Sequence, residues 1–258
     1  MVDDSTRAFY DDLAPDYDLL FADWDASIRG QAAAINRLLK RYLGDSRSVV
    51  LDCACGIGTQ AIGLAALGHR AVGSDLSPVA VARARTEARR RDADLAVAAA
   101  DMTRLPFAGG RFDVVVCADN AIAHLLTEAN LGSALAEMHR ALRPGGLLVL
   151  TTRSEVARTT HPGGTPPQVG NGPDGRVISF QVWDWHPDGE HYDVEHIQLH
   201  PHGDGDGGYA ARVRRTTSWA LRHDQVSAAA ESAGFTELSW HSPAQTAFTQ
   251  PILTARRR

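Results

Sequence analysis

Polar side chains stand at or just after the ends of four predicted strands, at positions where an α/β protein can assemble a site. Asp52, Asp75 and Asp101 follow short apolar runs, and Asn120 follows the run that ends at Cys117. Because the carboxyl ends of parallel strands meet at one edge of a sheet, we expect these four side chains to converge on one cleft. Carboxylates accept hydrogen bonds from hydroxyl and amino groups, so this cleft suits a ligand rich in such donors. Helix capping is the alternative role for each aspartate.

A glycine turn follows the first of these strands. Residues 48–52 form an apolar run that ends in an aspartate, Gly56 and Gly58 follow, and an alanine-rich helix opens at about Thr59. Glycine permits unusual backbone angles and lets the main chain approach a ligand closely, while the N–H groups at a helix start face that ligand. The stretch therefore predicts a cofactor site.

The same glycines leave a second cofactor open. Gly56-x-Gly58-x-x-Ala61 also fits the fingerprint of a dinucleotide site, which would indicate a nicotinamide enzyme. Against that alternative, Cys53-Ala54-Cys55 separates the first glycine from the strand, whereas a dinucleotide site usually has the glycine straight after the strand.

The elements that must position these residues alternate along the chain. Strands are predicted near 48–52, 71–75, 95–99, 113–118 and 147–152, and helices near 59–67, 78–90 and 129–141. Strands separated by helices predict an α/β fold with a parallel sheet and crossover helices on both faces.

The flanking segments complete a division of the chain into four parts. Residues 5–43 are helical in pattern, and residues 154–222 alternate apolar and polar positions between turn signals, which predicts a three-stranded antiparallel meander. The end of the chain predicts one helix and two strands, at 223–233, about 236–240 and about 247–256. The predicted parts are 1–44, an N-terminal helical cap; 45–153, the core; 154–222, an inserted β meander; and 223–258, the completion of the core sheet.

An ordered set of motifs identifies a family resemblance. Leu51-Asp52-x-x-Cys55-Gly-x-Gly58 is followed by Asp75 at the second strand end, Asp101-Met102 after the third strand, and Arg143-Pro-Gly-Gly146 before the fifth. This order resembles the class I S-adenosyl-L-methionine-dependent methyltransferases, over roughly residues 10–155. The resemblance implies an enzyme with a Rossmann-like seven-stranded sheet, S-adenosyl-L-methionine as cofactor and S-adenosyl-L-homocysteine as product.

The resemblance also implies roles at the predicted cleft. Asp75 would bind the ribose diol, Asp101 would accept from the adenine amino group with Met102 beside the ring, and Asp52 would lie near the methionyl ammonium. The glycine turn would pass under the sugar and the methionine tail. These positions, with the turn and its neighbours, are Asp52, Ala54, Gly56, Gly58, Asp75, Leu76, Asp101, Met102 and Ala118.

The N-terminal aromatic residues extend the predicted cofactor site. Tyr10-Asp-Asp-Leu-Ala-Pro-Asp-Tyr17 resembles the N-terminal cap of many small-molecule methyltransferases, in which an aromatic side chain closes on the methionine end. Tyr17 and Trp24 are the candidates for that side chain, and Arg29 is the candidate for the methionyl carboxylate. Core packing for the aromatic residues and a surface salt bridge for the arginine stay open.

The acceptor is indicated by the stretch after the fourth strand. Asp-Asn120-Ala-Ile-Ala-His124-Leu is similar to the corresponding stretch of the glycine and sarcosine N-methyltransferases, and Arg153 stands where that family has an arginine after strand five. The Asn/Asp-Pro-Pro-aromatic tetrad of enzymes that methylate bases is absent. The resemblance implies that Asn120 and Arg153 hold an amino acid's carboxylate, which a guanidinium can grip in two places. His124 would orient a bound group or be a core histidine.

Three functions follow from these residues. The first is methyl transfer to the amine of a small amino acid such as glycine or sarcosine. The second is an O- or C-methyltransferase that tailors a natural product, with His124 as the candidate base; the meander at 154–222, which departs from the glycine enzymes, keeps it open. The third is a protein that binds S-adenosylmethionine without transferring its methyl group.

The composition of the chain indicates which classes of partner to expect. The formal net charge of −5 argues against a large phosphate-binding face, and the arginines at 83–91 predict a solvated helix face, so no nucleic acid is expected. The start lacks an apolar signal region and the chain lacks an 18-residue apolar run, so no membrane partner and a cytoplasmic location are expected. A small-molecule acceptor is the expected partner, and a homo-oligomer stays open.

No metal site is expected. The 3 cysteines are sparse and odd in number, which indicates a reducing compartment, and the Cys53/Cys55 pair lacks further ligands. His196, His200 and His202 share a predicted strand face, where exposed histidines are the usual outcome. Asp204-Gly-Asp206 is typical of calcium loops but lacks a full ligand set.

Overall fold

The structure is a computed structural model that describes residues 4–153, 163–202 and 207–258. The helices are α1 Asp4–Leu13, α2 Trp24–Leu43, α3 Thr59–Ala66, α4 Pro78–Arg90, α5 Glu128–Ala141, α6 His223–Ser232 and α7 Pro243–Thr246, with 3-10 turns at Ala14–Leu20 and Ala121–Leu125. The strands are β1 Val49–Asp52, β2 Arg70–Asp75, β3 Leu95–Ala99, β4 Phe112–Cys117, β5 Leu142–Thr151, β6 Gln168–Gly172, β7 Gly175–Trp185, β8 His191–Pro201, β9 Tyr209–Trp219, β10 Phe235–His241 and β11 Ile252–Arg257.

The main sheet has seven strands in the order β10-β11-β5-β4-β1-β2-β3. The strands from β1 to β5 pair in parallel, and β11 pairs antiparallel with both β5 and β10. The predicted α/β fold with a Rossmann-like seven-stranded sheet is therefore confirmed. The strand order reverses between β1 and β4, and ligands of such sheets bind at that point, beyond the carboxyl ends of the strands.

The central strand β4 shows why this sheet is stable. All six of its residues are buried, as expected for a strand covered by helices on both faces. Its alternate side chains enter two different cores. Val114 and Val116 pack in the cluster that contains Ile35 of α2, while Val115 and Cys117 pack in the cluster that contains Met138 of α5.

Short polar side chains cap the N-termini of α2 and α4. Asp23 accepts a hydrogen bond from the Ala26 N–H at 2.8 Å at the start of α2, and Ser77 accepts from the Ala80 N–H at 3.0 Å at the start of α4. Such caps satisfy N–H groups that have no partner inside the helix. Gly44 ends α2 with φ of 83°, a left-handed value that glycine adopts without a side-chain clash.

A second sheet covers the carboxyl edge of the first. It has four antiparallel strands in the order β6-β7-β8-β9, so the prediction of a three-stranded meander was wrong by one strand. The added strand, β6, includes Gly170 and Gly172 and therefore shows no apolar alternation. A Cβ on Gly170 would stand 2.7 Å from the Leu19 carbonyl oxygen, so the close approach of the N-terminal segment explains the glycine.

Two other strand boundaries differ from prediction. The strand predicted to begin at 147 begins at Leu142, where a register shift separates its first pair, Phe112 with Leu142, from the rest of the ladder. The last strand begins at Ile252 rather than at 247, because Ala247 has φ of 57° and ends the short helix α7. Neither difference moves the strand ends that form the cleft.

The N-terminal segment lies against the second sheet. Arg214 of β9, with 6% of its surface exposed, donates to Asp12 at 2.7 Å and to Asp16 at 2.8 Å. These ion pairs join α1 and the following 3-10 turn to β9 and close the space above the main sheet. The four-part division of the chain stays a prediction.

Candidate active site

Two adjoining cavities lie beyond the carboxyl ends of β1, β2 and β4. The glycine-turn cavity is bordered by the turn at Gly56, and the inter-sheet cavity of ≈ 450 Å³ lies between the main sheet, the second sheet and the N-terminal segment. The residues that border both are Tyr10, Tyr17, Asp119 and His124. A ligand in one cavity would therefore face a ligand in the other across these four side chains.

Eight of the residues predicted to bind the cofactor border the glycine-turn cavity. They are Tyr17, Ala54, Gly56, Asp75, Leu76, Asp101, Met102 and Ala118. Gly56 has φ of 51° and open space where a Cβ would stand, so the main chain comes close to the cavity there. Gly58, with φ of 100°, is the N-cap residue that precedes α3, and it borders neither cavity. A Cβ there would stand 2.8 Å from the Ile62 side chain.

The carboxylate of Asp75 is held by two backbone donors. Its Oδ2 accepts from the Gly56 N–H at 2.8 Å and its Oδ1 accepts from the Ser77 N–H at 2.9 Å. Burial raises its pKa, while those two donors act in the opposite direction. Each carboxylate oxygen can accept a further hydrogen bond, so the fixed group fits the two hydroxyls of a ribose.

Asp101 also borders the glycine-turn cavity. Its Oδ1 accepts from the Thr103 N–H at 2.8 Å, which orients the side chain, and Met102 and Leu125 border the cavity beside it. Methionine and leucine give this side an apolar surface next to a hydrogen-bond acceptor. That combination fits a flat base with an exocyclic amino group.

Asp52 supplies an unpaired acidic oxygen behind the cavity wall. It is 1% exposed, and its Oδ2 has no hydrogen-bond partner among the described residues. Burial raises its pKa to about 8. Cys53 and Ala54, the next two residues, border the cavity. A buried carboxyl with one oxygen unpartnered fits a cationic group such as an ammonium, so the residues present fit S-adenosylmethionine at both of its polar ends.

The pKa of Asp52 predicts a pH dependence of ligand binding. An ammonium beside this carboxyl lowers its pKa from about 8, so binding releases a proton and affinity rises with pH up to that value. Between pH 6 and 7.5 we expect the dissociation constant of S-adenosylhomocysteine to fall by up to about tenfold per pH unit. Titration calorimetry in buffers of different ionisation enthalpy measures both effects. In the Asp52→Asn variant, the dissociation constant should no longer depend on pH in this range. A wild-type dissociation constant that does not change with pH would contradict this role.

Trp24 and Arg29 border neither cavity. Trp24 is buried at the start of α2, where its Nε1 donates to Thr59 Oγ1 at 2.9 Å and the Arg91 guanidinium lies 4.6 Å from its ring centre. Arg29 is exposed on α2. The structure therefore gives Trp24 a packing position and leaves Tyr17 as the predicted aromatic residue at the cavity.

A conservative variant tests this placement of Trp24. Trp24→Phe removes the buried hydrogen bond to Thr59 and should lower the free energy of unfolding by roughly 1–2 kcal/mol, measured by urea denaturation. The dissociation constant of S-adenosylhomocysteine should stay within about twofold of the wild-type value. A tenfold or larger loss of affinity in a folded variant would show that Trp24 contributes to the cofactor site.

The residues after β4 have an unusual backbone. Asp119 and Asn120 have φ of 54° and 65°, in the left-handed region that few residues other than glycine adopt. Asn120 Oδ1 accepts from the Arg153 N–H at 2.9 Å and from Thr152 Oγ1 at 3.0 Å. Such backbone persists where surrounding contacts fix it, and here those contacts join the ends of β4 and β5. The predicted pair, Asn120 and Arg153, is thereby brought together at the inter-sheet cavity.

Arg153 places a positive charge on the inter-sheet cavity. Its Nη1 donates to Gln181 Oε1 at 3.2 Å and its guanidinium lies 5.2 Å from the ring centre of Trp183. Within the described ranges no carboxylate forms an ion pair with it. An arginine held by an amide and an aromatic face keeps donors for a ligand's carboxylate.

His124 is partly buried and hydrogen-bonded at both ring nitrogens. Its Nδ1 lies 3.2 Å from the Thr217 carbonyl oxygen and its Nε2 lies 2.7 Å from the Tyr10 hydroxyl. Because a carbonyl only accepts, Nδ1 carries the proton and Nε2 accepts from Tyr10. Burial lowers the pKa of His124 to about 4 and raises that of Tyr10 well above its usual value. This pair therefore orients the Tyr10 ring, and neither group is poised to gain or lose a proton.

Sequence reasoning missed several lining residues. Asp119 and Tyr10 border both cavities, and His196, buried to 3% exposure, borders the inter-sheet cavity with its Nε2 unpartnered among the described residues. The prediction that His196 is an exposed strand histidine was wrong. Asp119 adjoins Asn120 and Tyr10 belongs to the N-terminal aromatic series, so sequence signals existed for both; the burial of His196 depends on how the two sheets pack.

The remaining predictions concern metal ions and membrane-spanning helices. The described residues contain no group of three His, Cys, Asp or Glu side chains placed to hold a metal ion, and all three cysteines are free and buried. Asp204 and Asp206 lie outside the described residues. Across residues 4–153, 163–202 and 207–258, none of the helices is both long and apolar enough to span a membrane.

Comparisons with known proteins match this geometry. Residues 50–146 match the family model described as a methyltransferase domain. A glycine/sarcosine N-methyltransferase of Parasynechococcus marenigrum is 36% identical over 149 residues, covering 57% of this chain and 51% of that protein. A demethylmenaquinone methyltransferase of Thermus thermophilus is 34% identical over 145 residues, covering 55% of this chain and 62% of that protein.

A solved structure has a similar fold over 95% of the chain. The S-adenosylmethionine-bound amino pentose methyltransferase of Micromonospora echinaspora has a TM-score of 0.75 and 22% sequence identity, covering 95% of both chains. The chain spans 51% and 62% of the lengths of the two curated relatives. The residues that match the family model, 50–146, include the glycine turn and the strand ends that form the cleft. Residues 50–146 therefore match a methyltransferase domain, and the chain has the fold of a methyltransferase solved with S-adenosylmethionine bound.

Proposed function

We propose that this protein transfers a methyl group from S-adenosylmethionine to the amine of a small molecule that carries a carboxylate, with amino acids such as glycine and sarcosine as the simplest members of that class. The observation that carries the proposal is the pair of adjoining cavities that share Tyr10, Tyr17, Asp119 and His124. One cavity has the groups that fit the cofactor. The other has Arg153, which fits a carboxylate.

The residues of this chain would hold the cofactor at both ends. Asp75 would accept from the ribose hydroxyls, Asp101 from the adenine amino group, and Asp52 would pair with the ammonium. When bound, S-adenosylmethionine supplies a methyl group already activated by a positive sulfur. The remaining task is to align the acceptor, and alignment of two reactants is able to contribute roughly 7–11 kcal/mol to a rate.

The inter-sheet cavity would bind and align the acceptor. Arg153 would hold its carboxylate, with the Asn120 amide beside it, while Phe9, Phe21 and Tyr17 exclude water from the reacting atoms. An amine needs only its lone pair to attack, so no base is required. His124 is a poor candidate for a base because burial lowers its pKa to about 4. This disfavours transfer to a hydroxyl, because a hydroxyl must lose its proton.

The size of the cavity favours an acceptor larger than glycine. The cavity has a volume of ≈ 450 Å³. Ligand cavities of roughly 300–1,000 Å³ are typical of larger small molecules. Polar residues of the second sheet, including Ser179, Gln181 and His196, border the additional space.

A panel assay tests the proposal. S-adenosylhomocysteine release is measured with glycine, sarcosine, larger amino acids, the matching amines without a carboxylate, the matching hydroxy acids and simple phenols. We expect turnover on amines that carry a carboxylate, faster for the larger ones. Turnover on hydroxyl acceptors alone would contradict the proposal, and cofactor binding without turnover on any acceptor would favour a binding protein.

A further inference from the structure

Asp119 is an acidic side chain that the proposed function leaves without a role. It lies two residues after the end of β4 and borders both cavities, so it lies where cofactor and acceptor would meet. Its Oδ2 accepts from Gln60 Nε2 at 2.7 Å, and in the described part of the chain no arginine, lysine or histidine forms an ion pair with it. A partly buried carboxylate with one neutral donor is incompletely satisfied.

The carboxylate of Asp119 is fixed before any ligand arrives. Gln60 also donates to Gln31 Oε1 at 2.5 Å, so its amide is held between two acceptors. The left-handed backbone at Asp119 and Asn120 is in turn fixed by the Asn120 contacts with Thr152 and Arg153. A charge held in this way needs little reorganisation during a reaction, which is the condition for strong electrostatic stabilisation.

Methyl transfer to an amine moves positive charge toward the acceptor. The nitrogen lone pair forms the new N–C bond, the C–S bond breaks, and its electron pair stays on sulfur. The sulfur becomes neutral and the nitrogen becomes positive, and the product later loses a proton to water. A carboxylate beside the nitrogen stabilises that developing charge. The same carboxylate opposes transfer to a hydroxyl, because it disfavours the negative oxygen that attacks.

We propose that Asp119 accepts a hydrogen bond from the acceptor's amine, stabilises the positive charge that forms there, and so makes the site selective for nitrogen over oxygen. This inference rests on the proposed function. It assigns the amine end of the acceptor to Asp119 and leaves the carboxylate end to Arg153, which borders the same cavity. The two opposite charges match an acceptor that carries both groups.

The test uses Asp119→Asn, in which the amide oxygen still accepts from Gln60 but the charge is gone. Turnover is measured with an amine acceptor and with the hydroxyl analogue of the same skeleton, and S-adenosylhomocysteine affinity is measured by calorimetry. We expect kcat for the amine to fall by about 100-fold and the amine-to-hydroxyl preference to shrink. The S-adenosylhomocysteine dissociation constant should stay within about threefold.

Other results separate the competing roles. If the wild type methylates no amine, the proposed function fails before Asp119 is changed. If the wild type is active and Asp119→Asn keeps its kcat and its amine preference, the role of Asp119 is overturned. A tenfold loss of S-adenosylhomocysteine affinity with unchanged kcat at saturating cofactor would assign Asp119 to the cofactor instead. Should Asp119→Asn not fold, Asp119→Glu retains the charge and is expected to retain the amine preference at a lower rate; loss of that preference would overturn the inference.

Discussion

Replacing Arg153 with alanine is expected to lower kcat/KM for a carboxylate-bearing acceptor by about 100-fold or more while cofactor binding stays intact. Arg153 borders the inter-sheet cavity, and its described partners, Gln181 and Trp183, are neutral. Removing one partner of a buried, hydrogen-bonded charge pair costs roughly 2–5 kcal/mol, and each 1.4 kcal/mol is a factor of ten. Steady-state kinetics with saturating S-adenosylmethionine measure the change.

The control for this prediction is Arg176→Ala. Arg176 is exposed on the same strand as Gln181 and borders neither cavity, so its loss changes net charge equally without touching the site. Arg153→Lys keeps the charge but loses the two-point grip, and we expect it to recover only part of the activity. An acceptor KM that is the same in wild type and Arg153→Ala would show that the carboxylate is bound elsewhere or that the acceptor has none.

The second large effect is expected at Asp75. Asp75→Ala should weaken S-adenosylhomocysteine binding by roughly 10²–10⁴-fold, because two hydrogen bonds to a charged group contribute roughly 1.5–3 kcal/mol each. The change also leaves the Gly56 and Ser77 N–H groups without their acceptor, so the glycine turn loses its support. Calorimetric titration at fixed pH measures the affinity, and thermal denaturation without ligand shows whether the variant folds.

Asp45→Ala is the matched control for Asp75. Its side chain is 87% exposed and pairs with Lys40 on the surface, where ion pairs contribute little to stability. It should bind S-adenosylhomocysteine as the wild type does. If a folded Asp75→Ala protein binds with wild-type affinity, the ribose does not bind at Asp75 in the glycine-turn cavity. The proposed orientation of the cofactor would then be wrong.

The sheet and its strand ends were predictable because they depend on local pattern and on general rules of chain topology. Apolar runs that alternate with helices specify a parallel sheet, and parallel sheets bring Asp52, Asp75, Asp101 and Asn120 to one edge. The helix predicted at 78–90 has the observed bounds of α4, because Ser77 and Pro78 mark its start in the sequence itself. These features need no information about distant contacts.

The remainder depends on packing between distant segments. Tyr10 reaches the cavity because its hydroxyl bonds His124, 114 positions away, whereas Trp24 turns into the core to meet Thr59. Both aromatic residues belong to residues 5–43, which are helical in pattern, and the periodicity of that sequence does not distinguish them. The strand β6 escaped prediction because Gly170 fits against the Leu19 carbonyl and because its two glycines interrupt any alternation of apolar side chains.

The most direct test of the account is a crystal structure of the protein with S-adenosylhomocysteine. The account predicts that the ligand fills the glycine-turn cavity, with its ribose hydroxyls on Asp75 and its sulfur beside Tyr10, Tyr17 and Asp119, open to the inter-sheet cavity. A ligand bound elsewhere, or one whose sulfur is walled off from the inter-sheet cavity, would contradict the claim that these two cavities form one methyl-transfer site.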